Sequence, residues 1–297
     1  MFKIISDGGC DFSKEEAVKH DVEVVPFYIN FDGDYLKEGI DINAEDFFKR
    51  LVAEKNIFPT TSQPNPQDYI DVCTPHLEAG KDVAVLTVSS KLSGSYNSAA
   101  VAADILGEDF PDRTIVVIDS LNASVAQDII LRELIKMRDN EYSLLDAQRL
   151  TKEVIKTTKV YFTLDSLEYL KRGGRIGQAT ALVGGLLGLR PILHLVDGEV
   201  AQLDSVRGRK NILKLIEEAM VDALKEEKQN VSISIGHTLL PKDAMTFKNN
   251  IESALGISMT NPIVEVGATI GAHTGPSALA FAYCKRYDVL SEVSSNE

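Results

Sequence analysis

Three short apolar runs, Phe2–Ser6, Val83–Val88 and Thr114–Ile118, are each followed by a helical segment, and this alternation constrains the fold most. Short unbroken runs read as strands buried on both faces, and parallel strands need helical crossovers between them. The first run ends at Asp7-Gly8-Gly9. Ser13 and Glu16 then have the spacing of a capping box, so a helix is expected to about His20. Val22–Asn30 reads as a second strand, turned at Asp32-Gly33 into a hairpin with a return strand around Tyr35. Asn43 caps a helix through Ala53, and Asn65-Pro66 opens another because proline suits the first helical position. Further helices are predicted from about Ser93 to Leu106, from Ser124 to Arg138 and from Leu144 to Thr157. Residues 1–158 are therefore expected to form an α/β lobe, a mostly parallel sheet with flanking helices.

After Val160–Thr163 the pattern changes. Pro191–Val196, Asp197-Gly198 and Val200–Leu203 make a hairpin with a favoured turn pair. Lys210–Lys225 is amphipathic, with Ile212, Leu215, Ile216, Ala219 and Met220 on one face. Val231–Ile235 and Ile263–Val266 read as strands separated by a helix from about Lys242 to Leu255, and a final helix is expected to begin near Gly275-Pro276. Residues 159–297 are thus expected to form an α+β lobe with antiparallel pairing. No serine- or glycine-rich linker separates the two, so they are expected to pack tightly.

Charge and cysteine usage remove several function classes. Lys plus Arg number 31 against 44 acids, a formal charge of −13, which argues against nucleic acid as the main partner. Cys10, Cys73 and Cys284 form neither a disulfide framework nor a metal pair, which suits a reducing compartment. MFKIISDGG does not read as a signal peptide, and the apolar stretch Ala179–Leu195 is too interrupted for a membrane span. A soluble, cytoplasmic protein is expected, with membrane contact at most transient.

Four segments carry chemistry. Pro59-Thr60-Thr61-Ser62-Gln63-Pro64 pins three hydroxyls and an amide between prolines, a loop suited to a carboxylate or phosphate oxygen, or else a rigid surface loop. Ser89-Ser90-Lys91-Leu92-Ser93-Gly94-Ser95 lies between a strand and a helix, with Ser93 and Gly94 expected in the first helical turn, where free N–H groups favour a small anion. Lys171–Gly177 and Arg207–Lys210 are the dense basic stretches, and their glycines let backbone and guanidinium approach a ligand together. Gly267–Pro276 carries His273, a residue able to donate to an anion or shuttle a proton. The other histidines have no metal-ligand spacing, and neither a nucleotide loop nor a nucleophile elbow is present, so no metal, cofactor or catalytic residue is expected.

Taken together these segments resemble the DegV family, whose fatty-acid-binding members serve as the acyl-carrying subunit of a bacterial fatty acid kinase. The resemblance runs through Ile5-Ser6-Asp7, Thr60–Pro64, Ser89–Ser95, Leu167–Ile176, Arg190-Pro191-Ile192, Val206–Arg209 and Ile270–Pro276. It implies a two-lobed α/β fold with an acyl chain buried inside. The long-chain fatty acid's carboxylate would be held by Thr61 and Ser93, with Gly94 and His273 at the head group. Arg172 would stand near the mouth, and Arg207 would face an ATP-dependent fatty acid kinase subunit that phosphorylates the bound acid. In that scheme the chain performs no chemistry alone.

Two positions depart from the family pattern. Gly8-Gly9 stands where members carry a hydroxyl residue. Ser124–Asp128 replaces a glycine-rich apolar stretch, and its bulkier polar groups are expected to reshape or shorten the acyl tunnel. Two other readings compete: a self-sufficient phosphotransferase or hydrolase acting on a small anion through His273 and Arg172, and a lipid-sensing regulatory protein.

Overall fold

The computed structural model describes residues 1–54, 57–182 and 189–294. In chain order these form β1 (Lys3–Asp7), α1 (Lys14–Lys19), β2 (Val22–Val25), β3 (Tyr28–Phe31), β4 (Asp34–Lys37), α2 (Ala44–Ala53), β5 (Thr60–Ser62) and α3 (Pro66–Glu78). There follow β6 (Val83–Thr87), α4 (Ser95–Asp109), β7 (Ile115–Asp119), α5 (Val125–Asp139), α6 (Leu144–Thr157), β8 (Lys159–Thr163) and α7 (Glu168–Arg172). The chain continues with β9 (Leu189–Val196), β10 (Glu199–Arg207), α8 (Arg209–Leu224), β11 (Val231–His237), α9 (Pro241–Leu255), β12 (Ile263–Glu265), α10 (Ala268–Thr274), β13 (Leu279–Lys285) and α11 (Tyr287–Ser294).

Three sheets result. The first is parallel throughout, in the order β2-β1-β6-β7. The second has six strands in the order β10-β9-β8-β13-β11-β12, antiparallel except where β11 meets β12. A small antiparallel sheet, β4-β3-β5, completes the set.

Helix α5 explains how the two large sheets share a core. Thirteen of its residues, from Val125 to Arg138, are buried. With α6 it packs between Ile4, Leu86 and Ile118 of the parallel sheet and Phe162, Leu193 and Ala282 of the mixed one. Its close approach to β11 depends on Gly236, where a Cβ would collide with Val125. The alternation along β13 serves the same layering. Leu279 and Phe281 face α8 and α9, whereas Ala282 and Cys284 face α5 and α6.

Several local expectations are corrected. Val22–Asn30 is two strands in different sheets, divided at Pro26, which cannot donate to a ladder. Thr60–Ser62 is a strand paired with β3, not a loop. Ser13 accepts the Glu16 N–H, but the Glu16 carboxylate reaches Arg132 at 2.9 Å, so only half the capping box forms. Gly94 is the cap of α4 and Ser93 precedes it, so neither lies in the first turn. Gly275-Pro276 ends α10 and leads into β13; it starts no helix, because Gly275 has φ +74 and proline cannot extend the turn behind it. Residues 183–188 of the interrupted apolar stretch Ala179–Leu195 lie outside the described residues. Among the described residues no helix is long and apolar enough to cross a membrane.

Candidate functional site

A cavity of about 930 Å³, its open mouth included, lies between the mixed sheet and the loops that follow β6 and β7. Val160 and Phe162 of β8, Leu195, Val200 and Ala280 form one wall, while Val88, Leu92, Ala123 and Val125 form the other. Among the described residues that line it there is neither Asp nor Glu, and Arg175 is the one cationic side chain.

Five of the polar lining groups lie along one rim, whereas Ser124, Thr269 and Thr274 bond elsewhere. Thr61 on β5 shares a 2.8 Å hydrogen bond with His273 Nε2 on α10. The His273 ring packs against Gly173, where a Cβ would collide with it. Arg175 Nη1 donates to the Gly173 carbonyl at 2.5 Å, and Arg175 Nε donates to the Leu92 carbonyl at 2.9 Å. Ser93 follows Leu92. Its hydroxyl accepts the Ser95 N–H at 3.2 Å. Gly94 in turn lies against the Gln63 amide, and Gln63 is two residues beyond Thr61. Five lining side chains, Thr61, Gln63, Ser93, Arg175 and His273, therefore belong to one connected rim.

His273 is held neutral. Burial, and secondarily the positive Arg175, push its pKa down to about 4. Geometry agrees, because Nδ1 is buried without a partner and charging the ring would bury an unmatched N–H. A neutral ring whose Nε2–H donates to Thr61 leaves the threonine hydroxyl proton free to donate elsewhere.

Thr61, Ser93 and His273 thus line the cavity together, and Gly94 supports the rim by leaving room for Gln63. Arg172 does not line it. Its guanidinium lies 3.9 Å from the Phe58 ring centroid and pairs with Glu168 at 2.6 Å on the surface. Arg207 is exposed at the end of β10 and is not among the lining residues. Gln63 and Arg175 went unassigned from sequence although both stand inside segments singled out there. Spacing in a run of basic residues and glycines does not tell which arginine turns inward.

The two departures are also resolved. Gln127 donates to Asp7 at 2.9 Å and to Ser6 at 3.2 Å, and Asp128 pairs with Arg132 at 3.0 Å, so these groups form a buried network and do not intrude on the cavity. Ser124 and Val125 do line it. Gly9 is matched to Gln127, since a Cβ there would stand 2.8 Å from the Gln127 oxygen and 2.8 Å from Val88 Cβ. Among the described residues no cluster of His, Cys, Asp and Glu could hold a metal ion.

A family model described as an uncharacterised protein of the DegV family matches residues 1–286. The chain belongs to the DegV family. This DegV chain is 31% identical over 287 residues to a DegV domain-containing protein of Clostridium acetobutylicum, covering 96% of this chain and 99% of that one. Its fold matches a stearic acid-binding protein from Eubacterium ventriosum with a TM-score of 0.92 at 33% identity, over 97% and 100% of the two chains. A DegV family protein from Thermus thermophilus, described for its fatty acid binding, matches with a TM-score of 0.86 at 29% identity, over 96% and 99%.

Proposed function

We propose that this DegV chain binds a long-chain fatty acid, its tail between the two large sheets and its carboxylate at the Thr61–Ser93–His273 rim. The observation that carries this reading is an apolar cavity with Thr61, Gln63, Ser93, Arg175 and His273 gathered along one rim and no acidic side chain among the described lining residues. The Thr61 and Ser93 hydroxyls and the Arg175 guanidinium would serve the two carboxylate oxygens. Without such donors a buried acid group would be costly. Burying a sixteen-carbon tail contributes on the order of 10 kcal/mol at ~0.8 kcal/mol per methylene, before association costs are subtracted. The similarity to the fatty-acid-binding proteins of Eubacterium ventriosum and Thermus thermophilus supports the same ligand class.

In this reading the chain is a carrier. A separate ATP-dependent kinase subunit phosphorylates the presented carboxylate to an acyl-phosphate, with Arg172 near the mouth and Arg207 on the surface that meets the kinase. Native mass spectrometry of the protein purified from bacteria tests ligand binding. A co-purifying fatty acid, or uptake of one after delipidation, is expected; a chain that neither carries nor takes up fatty acid would overturn the reading. Adding the kinase and ATP then separates a carrier, which yields acyl-phosphate, from a lipid sensor, which does not.

A further inference from the structure

The hydrogen bond between Thr61 and His273 joins pieces of chain 212 residues apart. Thr61 belongs to the small sheet and His273 to α10, so something must hold sheet and helix in register. At the start of α10 the N–H groups of Ala268 and Thr269, and the Thr269 hydroxyl, all donate to the carboxylate of Glu38. Glu38 directly follows β4, and its own N–H bonds the carbonyl of Phe27, a cavity-lining residue beside β3. The first N–H groups of a helix have no partner within it. Here a residue 230 positions away supplies one. Asp11 takes the preceding N–H, that of Gly267, at 2.9 Å.

Apolar packing also joins these pieces, through Phe31, Phe47 and Phe48 against Ala268 and Ala272. Such packing is non-directional and permits small slides. Three hydrogen bonds onto one carboxylate do not. Burial pushes the Glu38 carboxyl up, and the Thr269 and Ala268 donors pull it back.

We infer that Glu38 is a positioning residue for the head-group site: its carboxylate locks the start of α10 to the small sheet and so fixes the Thr61–His273 pair. This rests on the ligand reading proposed above. It assigns Glu38 no contact with the ligand.

In the full-length protein, Glu38→Gln keeps the side chain's size but replaces an acceptor oxygen with an NH2 group, so at least one of the three donors loses its partner. The readout is the ratio of affinities for palmitic acid and for hexadecanol, which share a tail and differ in head group. The acid-over-alcohol ratio is expected to fall about tenfold, with alcohol affinity little changed. The ¹⁵N signal of His273 Nε2 is expected to move toward its position in Thr61→Val. An unchanged ratio, or an equal loss of both ligands, would overturn the inference, because either reports no effect specific to the head group. Should Glu38→Gln not fold, Glu38→Asp draws the carboxylate back by one methylene and changes no cavity-lining residue; a lowered ratio supports the inference and an unchanged one overturns it. Wild-type protein that binds neither ligand would instead defeat the ligand reading, a separate result.

Discussion

Two of the places where this molecule gathers hydrogen-bond donors differ in what the donors surround. At the end of β1 the Asp7 carboxylate is fully buried. It accepts from the Gly9 N–H at 3.1 Å, the Val88 N–H at 3.0 Å, the Ser95 hydroxyl at 2.6 Å and the Gln127 amide at 2.9 Å. Burial pushes this carboxyl up and all four donors pull it back. At the cavity rim, Thr61, Gln63, Ser93 and Arg175 gather around apolar space with no acidic side chain among the described lining residues. The first cluster serves an acid group that the chain supplies, and the second is proposed to serve one that a ligand brings. Similar donors thus stabilise the fold in one place and remain available for exchange in the other.

Substitutions can break or sharpen that contrast. The largest effect is expected at Asp7. Asp7→Ala strands four buried donors and should lower the unfolding free energy by about 3 to 5 kcal/mol in urea titrations. A loss below about 1 kcal/mol would show that the cluster is not structural.

Next comes the rim itself. Thr61→Val combined with Ser93→Ala should weaken fatty-acid binding about a hundredfold at a cost in stability of about 1 to 3 kcal/mol, less than that of Asp7→Ala. Binding that survives the pair would remove the rim from the head group's surroundings.

His273 gives a smaller effect that depends on pH. Its folded pKa of about 4 lies below the ordinary value of 6.5, so the unfolded chain takes up a proton that the folded chain refuses. Its contribution to stability is therefore present above pH 6.5 and is lost as pH falls toward about 4. Between pH 7 and pH 5 the wild type should lose about 2 kcal/mol more than His273→Gln does in parallel unfolding curves. Equal losses would mean that the ring is not held neutral.

The smallest effect is expected at Arg207. Arg207→Ala changes an exposed side chain away from the cavity, so fatty-acid affinity should stay within about twofold in a calorimetric titration. Impaired kinase-dependent phosphorylation alongside intact binding would place Arg207 at the partner surface.

Much of the fold was legible locally. Leu144–Thr157 matches its expected bounds, and Asn43 and Asn65 cap their helices as read, because capping chemistry depends on neighbours within a turn. The Asp197-Gly198 hairpin was equally plain, since both residues take positive φ, 49 and 85, as the favoured turn requires. The end of the chain was harder. The small residues of Gly267–Pro276 gave no period from which to place α10, and the large-small alternation of β13 was not recognised as a strand with two unlike faces.

What the amino-acid order determined by itself was the family and the set of segments that matter, because motifs survive as strings. It did not determine which residue of a segment turns inward. Arg175 rather than Arg172 lines the cavity, and Glu38, which no motif singled out, anchors the helix that bears His273. Those outcomes were decided by tertiary structure alone. A side chain's direction and a partner more than two hundred residues away are fixed by how sheets and helices stack, and no local periodicity records that.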